Sequence, residues 1–467
     1  MALSRIWSAF IIVAIAVASI KYLSSSDYKS VYNDMIIGKS GDTIQIGNKN
    51  LTQFSPIIRD SIAKNPNYQE SRIHYSKKEG SEDVKIYRIQ ASDGVISTSK
   101  TAVDICIGLI GIMTLFMGFM SIAEKAGGIN FLSRLIQPFF SKLFPEIPKG
   151  HPSFGHMMLN FSANLLGLDN AATPFGLKAM ESLQSLNPNK DKASNAQIMF
   201  LCLHASGLTL IPVSIIAIRA SMKSATPTDI FLPCMIATFF ATMAAMIIVS
   251  FKQKINLLQP VVLAYLGGIS AIIALLVMFL VRLNKEELDD FSKLLSNGII
   301  LLIFLLIVLG GIYKKINIFD AFIEGAKEGF YTCVKIIPYL VGILIAISLL
   351  RTSGVFDIII DGMKYLANLS HLDTRFVDGL PTALIKPLSG SGARGMMVDT
   401  MHTFGPDSFQ GRLSAILQGS SDTTFYVIAV YFGAVSIRDT RYTVGAMLLA
   451  DLVGVITSIL LAYMFFG

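Results

Sequence analysis

Two stretches of this chain share an unusual pattern: residues 195–218, NAQIMFLCLHASGLTLIPVSIIAI, and residues 412–435, RLSAILQGSSDTTFYVIAVYFGAV. Each stretch is long enough to cross a bilayer as a helix, but its middle holds small, polar and helix-breaking residues. Glycine loosens a helical turn, and proline removes one of its hydrogen bonds. Both stretches are therefore predicted to be discontinuous membrane helices, broken at His204–Thr209 and at Gln418–Thr424.

A second pair of unusual segments precedes the broken helices. Residues 154–183 and 376–404 are also long enough to cross a membrane, yet their centres carry amides, prolines and glycines. Unpaired backbone is tolerated at membrane depth only where it is buried in protein or lines a wet cavity. We therefore predict a re-entrant helical hairpin at each of these segments.

The composition places the whole chain in a membrane. Of its 467 residues, 52% are hydrophobic and only 15% are charged, whereas soluble domains carry about 25% charged residues. Several apolar runs reach the roughly 20 residues that a spanning helix needs. The net charge of +7 is typical of membrane proteins with Lys and Arg in cytoplasmic loops, so nucleic-acid binding is not expected.

The order of segments repeats along the chain. Residues 102–251 and 329–466 each contain a span, a short amphipathic helix, a broken hairpin, an interrupted span and a last span, and Gly127 matches Gly354. Paired broken helices in two halves are typical of transporter sites. An odd number of spans separates the two starts, so we predict an all-α polytopic membrane protein with two inverted repeats and a small N-terminal extramembrane insert.

The same pattern divides the chain into five regions. Residues 24–101 are polar, and alternation at residues 42–46 and 84–89 predicts short strands. We expect this region to lie outside the membrane, where it could bind an envelope partner. The predicted regions are a membrane anchor helix (1–23), the polar domain (24–101), the first repeat (102–251), two connecting helices (252–328) and the second repeat (329–467).

Several motifs resemble a known family. LGLDNAATP at residues 166–174 and GLKAM at 176–180 resemble spore maturation protein A; PLSGSGA at 387–393 and the run 418–427 resemble spore maturation protein B. Both carry the nucleoside recognition (Gate) domain, so the chain resembles a fusion of the two, apart from residues 24–101. The resemblance implies a membrane protein related to the gate domains of nucleoside and ferrous iron transporters. In spore formers the pair is linked to spore core dehydration.

The polar side chains of the interruptions are the candidate substrate-binding residues. They suit a small polar solute or ion, and His204 could carry protons. The alternatives are that these residues cap helix ends or join helices by hydrogen bonds. The candidates are Asn164, Asp169, Asn170, Thr173, His204, Ser206, Thr209, Ser389, Ser391, Gln418, Ser420, Ser421, Asp422, Thr423 and Thr424.

The leading function is a secondary transporter of a small polar solute, nucleoside-like or an ion, by alternating access in the bacterial inner membrane. The alternative is an envelope or spore-maturation factor that acts as a scaffold or an enzyme. No nucleophile–base pair or metal spacing is visible, so we expect no enzyme, metal or cofactor; homo-oligomerisation stays open. Asp451 is expected to pair with Arg412 or Arg438, or else to bind a coupling ion.

Overall fold

The structure is a computed structural model, and it describes residues 2–24, 29–51, 59, 62–63, 65–67, 69–70, 73–77, 82–148, 150–165, 169–209, 211–280, 282–283, 285–370 and 373–467. The first half contains α1 (Ala2–Ser24), α2 (Val31–Ile36), α3 (Val95–Lys125), α4 (Gly128–Leu143), α5 (Pro152–Leu165), α6 (Asp169–Leu186), α7 (Asn195–Ser206), α8 (Val213–Ser221) and α9 (Phe231–Gln253). The second half contains α10 (Pro260–Leu280), α11 (Lys285–Tyr313), α12 (Ile318–Thr352), α13 (Val355–Leu369), a 3-10 helix (Arg375–Gly379), α14 (Pro381–Ile385), α15 (Gly390–Phe404), α16 (Phe409–Gly419), α17 (Thr424–Ala434) and α18 (Thr443–Phe466). Within these described ranges the fold is therefore all-α outside one small sheet, as predicted.

That sheet lies in the polar N-terminal region. Its strands are β1 (Gly38–Asn50), β2 (Gln69–Glu70), β3 (Ile73–Lys77) and β4 (Asp83–Asp93), in the order β1-β4-β3-β2. The pairs are antiparallel, with Thr43 opposite Ile89. Both segments predicted as strands, residues 42–46 and 84–89, lie in this sheet, so the prediction is confirmed. Alternation of apolar and polar residues is typical of a strand in an antiparallel sheet.

Six helices among the described residues are long and apolar enough to cross a membrane. They are residues 7–24 of α1, the helices α3, α9 and α10, residues 294–313 of α11, and α18. In lipid a helix satisfies its own backbone, which is why apolar runs of this length become helices. The first helix also makes polar contacts with α12: Trp7 Nε1 donates to the Gly342 carbonyl at 2.9 Å, and Lys21 Nζ donates to that of Ser353 at 2.7 Å.

The two matched glycines adopt the same conformation. Gly127 has φ of +81° and immediately precedes α4, while Gly354 has φ of +77° and immediately precedes α13. A positive φ costs glycine little because it has no Cβ. Each glycine thus turns the chain from a long helix into a short amphipathic one, at the same place in each block.

The first long helices of the two blocks pack tightly in opposite directions. A Cβ on Gly325 of α12 would lie 2.2 Å from the Met117 carbonyl oxygen of α3, and one on Gly329 would lie 2.7 Å from that of Met113. Glycines four residues apart let membrane helices approach at backbone distance. The later residue of α12 contacts the earlier residue of α3, so the two helices are antiparallel.

The last helices of the two blocks have the same relationship. Gln253, at the end of α9, donates to the Tyr442 hydroxyl just before α18 at 2.9 Å. Further along, a Cβ on Gly454 would lie 3.4 Å from Cβ of Ala241. The helices α9 and α18 therefore also run antiparallel.

The predicted helix interruptions are present. The helix α7 ends at Gly207 with φ of +39°, and α8 begins after Pro212. In the second block α16 ends at Gly419 and α17 begins at Thr424. The hairpins are α5–α6 and, less symmetrically, α14–α15, whose first arm is only the five-residue α14 preceded by the 3-10 helix.

Candidate functional site

The two helix interruptions meet at the centre of the molecule. The backbone N–H of Asp422 donates to the carbonyl of Ala205, near the end of α7, at 2.6 Å. A Cβ on Gly419 would lie 2.9 Å from Ile215 of α8 and 3.0 Å from the Cys234 sulfur of α9. A Cβ at position 419 would press on both of these side chains, so glycine suits the close approach of the second interruption to the first block.

His204 joins the first interruption to the hairpin α5–α6. Its Nδ1 lies 3.0 Å from Asn160 Oδ1 and 2.8 Å from the Asn164 amide, both on α5. The amide nitrogen of Asn160 donates to the Ala172 carbonyl at 2.7 Å, so its oxygen must face the ring. A proton on Nδ1 satisfies the Asn160 oxygen. The atom of Asn164 that lies 2.8 Å from Nδ1 is its amide nitrogen, so this tautomer requires the Asn164 amide to turn and present its oxygen to the ring.

The other ring nitrogen of His204 faces a carboxylate. Nε2 lies 3.9 Å from Asp422 Oδ2, and the side chains are 4% and 50% exposed respectively. Asp422 Oδ1 accepts from the Thr423 backbone N–H at 2.6 Å. The pair thus combines a buried imidazole, held from hairpin α5–α6, with a half-exposed carboxylate from the other block.

Tyr431 covers the other side of this centre. Its ring packs edge-on against His204 at 4.8 Å between ring centroids. Its hydroxyl is buried beside Thr173 and Asn160, with no well-formed hydrogen bond to any described residue. A Cβ on Gly176 would lie 2.5 Å from the Tyr431 ring and 2.8 Å from the Asn160 amide nitrogen, so a glycine makes room for both. We name these side chains, Asn160, Asn164, His204, Asp422 and Tyr431, the central cluster.

A second polar group lies on the side of hairpin α14–α15. Lys386 is buried and donates its ammonium to the Gln418 carbonyl at 2.7 Å. Asp451 of α18 is also buried and accepts from the Thr424 hydroxyl at 2.5 Å. Ser421 and Lys386 also interact with Asp451. The predicted pairing of Asp451 with Arg412 or Arg438 is wrong, because Asp451 faces inward at mid-helix and Arg412 binds Asp229 instead.

The predicted site residues fall into four groups in the structure. Asn164, His204 and Asp422 form the core of the central cluster, and Thr173 lies beside Tyr431. Ser421, Thr424 and Gln418 surround Asp451 and Lys386, whereas Thr423 lies against the tip of hairpin α14–α15 formed by Ser389, Gly390 and Ser391. Ser206, Thr209 and Ser420 bond backbone carbonyls within their own interruption, as the capping alternative expects. The side chains of Asp169 and Asn170 lie outside the described residues.

Three functional candidates were missed by the sequence reasoning. Asn160 lies four residues before Asn164 on the same face of α5, a spacing that could have identified it. Lys386 is a charged residue next to Pro387 in an otherwise apolar hairpin, which is also a visible signal. Tyr431 lies among ordinary apolar residues, and only the fold brings it to His204.

A buried arginine cluster joins the two blocks at one end of the broken helices. Arg219 of α8 is fully buried and donates to the carboxylates of Asp229 and Asp407, each at 2.9 Å. Arg412 Nε binds the other oxygen of Asp229 at 2.7 Å. Asp229 belongs to the first block and Asp407 to the second. The arginine cluster, Arg219, Asp229, Asp407 and Arg412, therefore ties the end of α8 to the start of α16.

The opposite end of the broken helices is joined differently. The Asp191 carbonyl accepts from the backbone N–H groups of Arg438 and Asp439, at 2.9 and 3.0 Å. Lys192 Nζ lies 3.6 Å from Asp439 Oδ2, in a pair whose side chains are 51% and 56% exposed. Nearby, burial raises the pKa of Tyr442 above its ordinary value, and the hydroxyl accepts a hydrogen bond from Gln253. We call this contact between residues 187–195 and 435–442 the loop bridge.

The segments that hold the two interruptions also match known proteins in sequence. The sequence profile described as nucleoside recognition, or Gate, matches residues 106–222 and 333–438. Spore maturation protein A of Bacillus subtilis (strain 168) is 44% identical over 157 residues, which are 34% of this chain and 80% of that protein. The chain belongs to the nucleoside recognition (Gate) family.

A second relative matches a different part of this Gate protein. Spore maturation protein B of Bacillus subtilis (strain 168) is 45% identical over 173 residues, which are 37% of this chain and 96% of that protein. The resemblance to a fusion of the two is confirmed. Together with the six apolar helices, membership identifies a multi-pass membrane protein. No solved structure gives a significant match to the chain.

Proposed function

We propose that this Gate protein is a secondary transporter of the bacterial inner membrane, which moves a small polar solute by alternating access. The solute would bind at the central cluster, where both interruptions and hairpin α5–α6 contribute polar groups. The observation that carries this proposal is the convergence of Asn164, His204 and Asp422, which lie far apart in the sequence, on one point. Ionisable side chains inside a membrane protein are energetically costly, and their presence therefore indicates a functional site.

The antiparallel packing of matching helices supports inverted repeats. The pairs α3–α12 and α9–α18 both run in opposite directions. Along the broken helices, Ala193 bonds Asp439 at one end, Ala205 bonds Asp422 in the middle, and Arg219 bonds Asp407 at the other. Two blocks related by a two-fold axis through the interruptions would make contacts of this kind, and rocking of one repeat against the other would open each side in turn.

The chemistry of the central cluster favours a solute with hydrogen-bond donors. Asp422 is half exposed, and the Tyr431 hydroxyl is buried and unpaired within the described residues. A carboxylate and a phenol can accept from hydroxyl, amine or amide groups, while the phenol can also donate. A nucleoside-like solute or a hydrated cation meets this requirement.

The transport proposal is tested with the full chain. Purified protein in lipid nanodiscs is screened by thermal shift against nucleosides, amino acids and divalent metal ions, and stabilising solutes are then assayed as radiolabelled uptake into proteoliposomes. We expect wild-type protein to accumulate one solute class and Asn164→Ala and Asp422→Ala to lose at least ten-fold in uptake. Asp361→Asn, on the exposed face of α13, serves as the control.

Two outcomes would overturn the proposal. One is uptake by Asn164→Ala and Asp422→Ala at the wild-type rate. The other is a full screen in which no solute stabilises the protein and none is taken up, although circular dichroism shows folded protein in the liposomes.

A scaffold is the second candidate function. The names of both relatives connect them to spore maturation, and the sheet β1–β4 gives this chain an extramembrane domain that could contact envelope proteins. Replacing residues 29–93 with a short flexible linker separates the two functions. A scaffold would lose its cellular role, whereas a transporter would keep solute uptake in proteoliposomes.

A further inference from the structure

The two ring nitrogens of His204 have different surroundings. The Asn160 amide nitrogen is already bound to the Ala172 carbonyl, so the Asn160 oxygen requires a donor on Nδ1, and the Asn164 amide, whose nitrogen lies 2.8 Å from Nδ1, then turns its oxygen toward the same proton. In a neutral imidazole the remaining nitrogen then carries a lone pair. That nitrogen, Nε2, lies 3.9 Å from Asp422 Oδ2. The one position on the ring that can gain a proton thus faces a carboxylate.

The distance suits a pair that changes with protonation. A lone pair opposite a carboxylate is unfavourable, so the two atoms stay beyond the roughly 2.7–3.2 Å of a hydrogen bond. A proton on Nε2 would make the contact attractive, and the half-exposed Asp422 side chain has room to approach. Proton uptake adds one positive charge opposite Asp422, and its release restores the neutral ring.

Charged and titratable groups on several neighbouring elements face this pair. Asp451 of α18 interacts electrostatically with Asp422 and with Lys386, at the end of α14. Asp169 lies at the tip of hairpin α5–α6, and its side chain is outside the described residues. On α17, Tyr431 interacts with Asp422 and also with Tyr426, and on α7 the thiol of Cys202 interacts with Asp451.

We propose that His204 and Asp422 form a proton-binding site, and that the proton is the coupling ion of this transporter. The coupling role rests on the proposed transport function; the proton site itself does not. A carboxylate 3.9 Å away stabilises an imidazolium, whereas the hydrogen bonds to Asn160 orient the ring.

The position of the pair explains how a proton could drive transport. His204 is held by Asn160 and Asn164 of the first block, and Asp422 belongs to the second. Rocking of one block against the other changes the distance between Nε2 and the carboxylate. Proton affinity then differs between the two conformations, which is the requirement for coupling two equilibria.

The test uses the full chain in lipid nanodiscs with ¹⁵N-labelled histidine. The chain has six histidines, and a difference spectrum with His204→Gln identifies the signals of this ring. At high pH we expect a neutral ring protonated at Nδ1, and at low pH a second proton on Nε2. In Asp422→Asn the midpoint of this titration should move to lower pH by about one unit. Asp361→Asn, exposed on α13, should leave it unchanged.

Three results would overturn the proton site: a neutral ring protonated at Nε2, a ring that never gains the second proton, or a midpoint that is the same in Asp422→Asn. These readouts need no transported solute. A titration as expected, combined with failure of every uptake assay, would support the proton site and defeat the transport function alone. A proton site with solute uptake that ignores an imposed pH gradient would overturn the coupling role.

Discussion

The backbone N–H of Asp422 is bonded to the carbonyl of Ala205 at 2.6 Å, and this contact joins the interruption of one block to that of the other. The carbonyl belongs to the last turn of α7, where the partial charge of the helix dipole is negative. One residue earlier, His204 faces the Asp422 carboxylate. The backbone bond therefore holds the two interruptions together beside the His204–Asp422 pair, and substitutions around them should separate structural from functional roles.

Removal of the Tyr431 hydroxyl should leave folding intact. The hydroxyl is buried and has no well-formed hydrogen bond to a described residue, so Tyr431→Phe removes an unpaired polar group and should keep or raise the thermal midpoint. If a solute binds this hydroxyl, its affinity should fall about ten-fold, as expected for one lost hydrogen bond of roughly 1.4 kcal/mol. Thermal shift with and without solute measures both. A fall in the midpoint of the solute-free protein would show that the hydroxyl has a structural partner.

Addition of one methyl group at Gly176 should disturb the central cluster. The new Cβ of Gly176→Ala would lie 2.5 Å from the Tyr431 ring and 2.8 Å from the Asn160 amide, so both side chains must move and the ring of His204 loses its support. We expect uptake to fall at least ten-fold in protein that still inserts into membranes. The matched control is Gly155→Ala in α5, whose Cβ meets nothing within 4 Å. Equal activity of the two variants would contradict the close packing of Gly176 against Tyr431 and Asn160.

The glycine contact between α3 and α12 should be essential for stability. Gly325→Ala would place a Cβ 2.2 Å from the Met117 carbonyl oxygen, which forces the helices apart and should cost about 1–3 kcal/mol. Gly362→Ala, in α13, is the control, because its Cβ meets nothing within 4 Å and alanine favours helix. Denaturant titration of the purified variants measures both. The prediction fails if Gly325→Ala is as stable as the wild type.

The two ends of the broken helices should differ in their contribution to stability. Arg219→Ala removes the fully buried cation that joins Asp229 to Asp407 and leaves the buried Asp229 carboxylate with Arg412 alone, and breaking a buried ion pair costs about 3–5 kcal/mol. Lys192→Ala removes an exposed ion pair, which is worth less than about 1 kcal/mol. Thermal unfolding of the two variants compares them directly. Similar losses would mean that the arginine cluster is not the stronger connection.

The helix interruptions were predictable from particular residues. Gly207 and Pro212 break the first helix, as their backbone chemistry requires, and Gly419 is the last residue of the first part of the second helix. Gly127 and Gly354 hold the same position in the two blocks, directly before the short amphipathic helix, and so indicated the repeat. Both have the positive φ that glycine adopts at little cost. The partner of Asp451 was not predictable, because a carboxylate in a helix can face any neighbour that the packing brings to it.

The sequence by itself determined that this is a membrane protein with a repeated order of spans, hairpins and interruptions, because hydrophobic length and helix-breaking residues act locally. Only the tertiary structure decided which polar residues meet. Asn160, His204, Asp422 and Tyr431 come together because antiparallel packing of the two blocks brings their interruptions to one point. The arginine cluster has the same origin: Arg219 and Asp407 are 188 residues apart in the chain, and no local pattern relates them.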